Sequence, residues 1–281
     1  MIKETGLTDF DFAYAAVLKR ILEAKAEFNK RTGKKTRSVP GIFFKFSSIP
    51  ILSLRDIKPL WTCAEVVWFM SGGDNPEFMR HFGFRNWDPF VDKNGLVRAA
   101  TGFRWRKMHQ VDQLMEGLHK LRQDKTNRQA VLMSWEPWED SKPGPNVPCL
   151  VVWHMHIIDG QLHMAVLQRS GDMYFGIPHD ILGAWIILEL CAAAVQAVPG
   201  TLSYLISNAH LYNDQWDAAQ EMIAREEACE VKANYPIRLG LTIEETTRSM
   251  NEDKALVIEL HQKLLEFYHP FPAIQGPSLV K

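Results

Sequence analysis

Apolar residues first recur at helical spacing between Asp9 and Arg31, where Phe12, Val17, Ile21 and Leu22 mark one face of an amphipathic helix. "RTGKKTRSVPG" follows as a polar, basic loop, and "GIFFKFSSIPIL" reads as a strand interrupted by Pro50. "IKPLWTCAEVVWFMSGG" is a helix closed by Gly72-Gly73, and "NWDPFVDKNGLVRAATGFRWR" is mostly loop. "VDQLMEGLHKLRQDKTN" is helical and "RQAVLMSW" is a strand. "LVVWHMHII" and "QLHMAVLQRS" flank Asp159-Gly160, a two-residue hairpin signal. An apolar helix over Ile181–Val198 stops near Pro199-Gly200, and the strand "TLSYLISNAH" follows it. The rest is helix or loop, down to a proline-rich tail, "FYHPFPAIQGPSLVK", ordered by packing or a ligand. With no repeat or linker, the pattern predicts one α+β domain over residues 1–281. Its sheet is mostly antiparallel, with packed helices that include a long buried central one.

Composition narrows the function. The chain has 281 residues, 46% of them hydrophobic, enough for a substantial core. Lys plus Arg is 32 against 33 for Asp plus Glu, so no general basic surface for nucleic acid is expected, although a local phosphate pocket is compatible. The run Ile181–Val198 is at the short limit of the roughly 20 residues a membrane span needs. It also carries Glu189 and Gln196, so it reads as a core helix rather than a membrane segment. Cys63, Cys149, Cys191 and Cys229 show no zinc-ligand spacing, so no metal is expected. Few cysteines and no signal peptide point to the cytoplasm.

The candidate chemistry centres on Cys149, which follows Pro148 and opens a strand. It is either a small core hydrophobe or a nucleophile whose thiolate is favoured by Arg169, across the hairpin, and Arg128. Arg169 and Ser170 can hold a phosphate or form a solvated strand end. His210 and Tyr212 alternate onto one face of a strand, where both can hydrogen-bond a hydroxyl. Arg31 and Arg128 are single arginines, each readable as surface charge. Glu65 lies in the apolar run "CAEVVWF", where a carboxylate is costly unless paired or used.

From about Arg31 to Ile274 the chain resembles the thymidylate synthase family. The resemblance is carried by "RTG", "AEVVWFMSGGDN", "NWDPF", "TGFRWR", "VDQL", "NRQAVLMSW", "VPC", "IDGQL", "QRSGDMYFGIPHDI", "AHLYND" and "YHPFPAI", in order. It implies that Cys149 adds to C6 of a pyrimidine nucleotide, making C5 attack the one-carbon unit of 5,10-methylenetetrahydrofolate. It assigns the substrate phosphate to Arg31, Arg169 and Ser170, and the sugar 3′-hydroxyl to His210 and Tyr212. Arg128 would reach the phosphate held by the other subunit of a homodimer. Glu65 would organise water and proton transfer, Trp87 would lie near the folate, and Asp172 would bind its pterin.

The departures are as informative. Asp180 stands where the family has asparagine. An amide matches the O4 acceptor and N3–H donor of uracil, whereas a carboxyl accepts from the N4 amino group of cytosine and shares a proton with N3. This aspartate is the feature of deoxycytidylate hydroxymethylases, which phages use on their DNA precursors, so the expected reaction is conversion of dCMP to 5-hydroxymethyl-dCMP. A dCMP C5-methyltransferase, a CMP hydroxymethylase and a thymidylate synthase are the alternatives, and Asp180 as a helix N-cap is the bland one. A non-catalytic nucleotide- or RNA-binding relative would not need Cys149, Glu65 and Trp87. Thr101 replaces a family tyrosine, Gln129 the second arginine of a phosphate pair, Leu150 a histidine and His179 a phenylalanine. The chain ends at Lys281, past the family's usual apolar end.

Overall fold

The computed structural model describes residues 6–142, 147–233 and 235–274, so Lys281 and the end of the proline-rich tail lie outside the described residues. The chain begins with α1 (Asp9–Glu23), β1 (Glu27–Asn29) and β2 (Lys34–Phe46), then α2 (Pro59–Met70) and α3 (Glu77–His81). A short 3-10 turn, Asp88–Phe90, leads to α4 (Thr101–Arg106), α5 (Gln113–Gln123), β3 (Ala130–Met133) and α6 (Pro137–Asp140). β4 (Leu150–Ile158), β5 (Gln161–Gln168), β6 (Gly171–Asp172), α7 (Gly176–Ala194) and β7 (Val198–Tyr212) form the centre. α8 (Trp216–Ala228), α9 (Ile243–Ser249) and α10 (Lys254–Leu265) complete the described chain.

One mixed sheet runs β1-β2-β7-β5-β4-β3, with β6 also paired to β7. Its pairs are antiparallel except β5–β7 and β6–β7. The parallel β5–β7 pair follows from the connection: a helix, α7, carries the chain back over the sheet, which an antiparallel neighbour would not need. The β4–β5 turn places Asp159 at φ 49° and Gly160 at φ 73°, the left-handed pair a two-residue hairpin requires.

Period-two alternation sends Trp153 and Met155 of β4, Leu162, Met164 and Val166 of β5, and Leu202, Tyr204 and Ile206 of β7 into the core. α7 packs on that inner face and is buried nearly all round, including Trp185, Ile186 and Leu188. It is long and apolar enough to cross a membrane by composition, but 83% of its apolar window is buried inside the protein. Each such aliphatic side chain contributes roughly 1.5–3 kcal/mol on burial, which is why this helix needs no amphipathic face. α2 crosses α7, and α4 lies so close to α2 that a Cβ on Gly102 would come within 2.2 Å of the Phe69 carbonyl oxygen.

Several boundaries differ from the sequence pattern. α1 stops at Glu23 rather than Arg31, because Ala24 turns extended and the chain returns as β1 to pair with β2. The basic "KKTRSVP" stretch is strand, not loop, since Thr36 to Pro40 pair with Tyr212 to Asn208. The central helix covers Gly176–Ala194, not Ile181–Val198, and Val198 already belongs to β7. Asp180 therefore sits inside the helix. The N-cap is Phe175, which makes no side-chain cap bond, so Asp180 is not a helix cap.

Candidate active site

The C-terminal end of β5, the C-terminal half of β7, the first turns of α7 and one side of α2 enclose a cleft of about 230 Å³. Arg31, Glu65, Trp87 and Cys149 line it. So do Ser170, Asp172, Asp180, His210 and Tyr212, so that residues scattered along the chain from Arg31 to Tyr212 converge on one cleft. Arg169 borders the cleft through Cys149. Arg128 does not reach it: it is exposed near the start of β3, and its carbonyl lies 3.1 Å from His154 Nε2.

Cys149 immediately precedes β4, whose pairing with β5 is irregular between Leu150 and Val152. That bulge re-aims the strand end and leaves Cys149 exposed to the cleft. Arg169 clamps the preceding backbone. Its Nε donates to the Pro148 carbonyl at 2.8 Å, its Nη2 to the Val147 carbonyl at 3.0 Å, and Nη2 lies 3.8 Å from Cys149 Sγ. Surrounding protein desolvates the thiol and pushes its pKa up, while Arg169 and Arg31 pull it down and Asp180 and Asp172 oppose them. Sγ thus sits between burial, which disfavours the thiolate, and two arginines, which favour it.

Of the three carboxyls lining the cleft, Glu65, Asp172 and Asp180, burial raises the pKa of two. Glu65, on α2, accepts from Trp87 Nε1 at 2.8 Å, yet burial and then the Asp180 charge raise its pKa to about 8. Asp180, on α7, is raised to about 7 by burial, with the Gln168 hydrogen bond lowering it and the Asp172 charge raising it. Both carboxyls therefore hold protons near neutrality, burial being the main cause and the Asp180 charge adding to it at Glu65. His179, beside Asp180, has Nδ1 at 2.7 Å from Thr62 Oγ1, and burial drops its pKa to about 3, so it is a neutral polar wall.

His210 and Tyr212 lie on one face of β7 with ring centroids 5.2 Å apart, as their spacing predicts. His210 Nδ1 is 3.1 Å from Asn208 Oδ1, and burial lowers its pKa. Asp172 is already occupied: Oδ1 accepts from the Tyr174 and Phe175 amides at 2.8 and 3.0 Å, and Oδ2 from Gln215 Nε2 at 2.9 Å. It holds the turn into α7 as well as lining the cleft. Phe84, Phe90 and Phe175 add an aromatic wall beside Trp87. Thr101 is buried at the start of α4 and is not among the residues lining this cleft, so no hydroxyl reaches the cleft from that position.

The sequence reading missed Phe84, Asn86, Phe90 and Phe175 in the lining, and above all Gln168. It lines the cleft, is 2% exposed, and donates to Asp180 Oδ2 at 2.8 Å. The signal was present: Leu162, Met164 and Val166 point inward, so two residues on a polar Gln168 must also point inward. Among the described residues no cluster of His, Cys, Asp and Glu is arranged to hold a metal. The family model described as Thymidylate synthase matches residues 12–279.

Proposed function

The chain belongs to the thymidylate synthase family, and we propose that within it the enzyme converts dCMP to 5-hydroxymethyl-dCMP. The family's chemistry is folate-dependent transfer of a one-carbon unit to C5 of a nucleotide. The choice of cytosine rests on one observation: Asp180 projects a carboxyl with a pKa of about 7 into the cleft instead of capping its helix. Such a group accepts from N4–H and shares a proton with N3. An amide in its place presents a fixed donor, and a mismatched buried polar edge costs orders of magnitude in discrimination.

Cys149 adds to C6, and proton sharing at N3 by Asp180 draws electrons from the ring and assists that addition. Arg169, Arg31 and Ser170 hold the phosphate, and His210 and Tyr212 the deoxyribose hydroxyl. The aromatic wall of Trp87, Phe84, Phe90 and Phe175 fits a flat pterin, with Asp172 at its polar edge. When bound there, 5,10-methylenetetrahydrofolate supplies the one-carbon unit. Glu65, raised to about 8, then passes protons to and from water at the new C5 substituent. The polar wall of Glu65, Asn86 and His179 favours water as the final nucleophile. A cytoplasmic setting accompanies this reading.

A second copy belongs to it as well. Val131 and Met133 of β3, Phe43 of β2 and Leu205 of β7 are exposed apolar side chains on the outward face of the sheet, which also carries Lys45 and the stacked His154, His156 and His163. Covering that face with an identical sheet would make a homodimer and carry Arg128 toward the other subunit's phosphate. Sedimentation should then give twice the chain mass, and an active monomer would refute the arrangement. For the reaction, tritium release from [5-³H]dCMP with methylenetetrahydrofolate should occur and should vanish in Cys149→Ser. Mass analysis should find the hydroxymethyl product; a methyl product or no release refutes the proposed reaction.

A further inference from the structure

Behind the cleft, three side chains from three elements form a buried chain ending on Asp180. Tyr204 on β7 is fully buried, Gln168 on the neighbouring β5 is 2% exposed, and both point into the core. The Tyr204 hydroxyl donates to Gln168 Oε1. Gln168 Nε2 donates to Asp180 Oδ2 at 2.8 Å and to the Ser170 carbonyl at 3.1 Å. A carbonyl oxygen can only accept, so the amide end facing Ser170 is the NH2 end. Tyr204 completes the assignment, because a buried phenol beside carboxyls stays protonated and donates.

We infer that Tyr204, acting through Gln168, is a positioning residue that keeps the Asp180 proton on Oδ1, the oxygen left for the base. With an N–H already directed at Oδ2, that oxygen has no use for a proton on its Gln168 side. A flipped Gln168 would present Oε1 instead, accept a proton from Oδ2 and draw it away from the base. Two contacts oppose the flip: the Ser170 carbonyl accepts from Nε2, and the Tyr204 hydroxyl donates to Oε1 where it stands. Without the hydroxyl, Oε1 would be a buried orphan, the Ser170 carbonyl alone would hold the amide, and the flipped state, in which Asp180 donates to Oε1, would gain population. The alternative is that Tyr204 merely fills space in the core with its hydroxyl satisfied. The inference rests on the reading of Asp180 as the base-recognition residue.

The test is Tyr204→Phe, with kcat/KM measured against pH for dCMP and dUMP. The alkaline limb of the dCMP profile should move up by about one pH unit, because the flipped amide favours protonated Asp180. At its optimum the dCMP value should fall about tenfold, the scale of one charge-assisted hydrogen bond, and the preference over dUMP should shrink with it. In an Asp180→Asn background the same substitution should leave the base ratio within about twofold, since the two residues act as a unit. Equal losses on both nucleotides with an unmoved limb, or the same loss in both backgrounds, would reduce Tyr204 to packing. Gln168→Glu is the second variant, should Tyr204→Phe fold poorly. An acid beside Asp180 should raise the limb by at least about one unit, and an unmoved limb overturns the relay. If Asp180→Asn alone leaves the base ratio unchanged, the base reading fails; the limb shift in Tyr204→Phe still decides whether the relay governs the Asp180 proton.

Discussion

Asp180 and Glu189 lie on the same helix, α7, and are surrounded differently. Glu189 is 1% exposed and saturated with donors: Oε1 accepts from Trp185 Nε1 at 2.7 Å and the Leu239 amide at 2.8 Å, and Oε2 from the Leu239 and Gly240 amides at 3.0 and 3.1 Å. Asp180 receives one donor, Gln168, and opens onto the cleft. Burial raises both pKa values, but only Glu189 meets backbone amides that pull in the opposite direction. A buried acid whose lone pairs are filled by backbone amides serves the fold, here by pinning the 239–240 segment to α7. An acid left short of donors, facing a cavity, has capacity reserved for a ligand.

Thermal unfolding of variants at the two positions should widen that contrast. Glu189→Ala removes the acceptor of two backbone amides and an indole N–H, and should cost about 3–5 kcal/mol, the scale of breaking a buried charged network. Asp180→Asn should act in the other direction. The folded pKa of about 7 lies above the unfolded 3.8, so the folded state binds more protons in that window and loses stability as pH rises through it. Replacing the acid by an amide removes that penalty. It should stabilise the protein by about 1–2 kcal/mol above pH 7, discounted for the opening to the cleft, and by nothing near pH 3. If Asp180→Asn destabilises the protein at high pH as Glu189→Ala does, the two acids are alike and the contrast is wrong.

The same helix shows what the sequence could and could not carry. The hairpin at Asp159-Gly160 was legible because its signal is local, two left-handed positions between alternating strands. The start of α7 was not: "GIPHD" contains a glycine and a proline, and no capping side chain marks the boundary. Helix there is imposed by packing on the sheet. The strand "KKTRSVP" was illegible for a related reason. Its polar residues hide any apolar alternation, and pairing with β1 on one side and β7 on the other makes it strand. Most of the cleft was readable as residue types in matching pieces, from Cys149 to Tyr212. For Gln168 the inward direction was readable from the alternation of β5 but the role was not, because its importance lies in its contacts with Tyr204 and Asp180, 36 and 12 residues away. Glu189 was read only as a reason against a membrane span; its partners, 50 and 51 residues away, explain why it is tolerated.

The most direct test of the account is the ratio of kcat/KM for dCMP to that for dUMP, measured for the wild type and Asp180→Asn at equal folate. The wild type should prefer dCMP, and the variant should lose about one to two orders of magnitude on dCMP while gaining some activity on dUMP. The loss should exceed the gain, because an amide matches uracil but cannot share a proton with N3 during thiolate addition. An unchanged ratio in a folded variant would contradict the account and place the reading of the base elsewhere in the cleft.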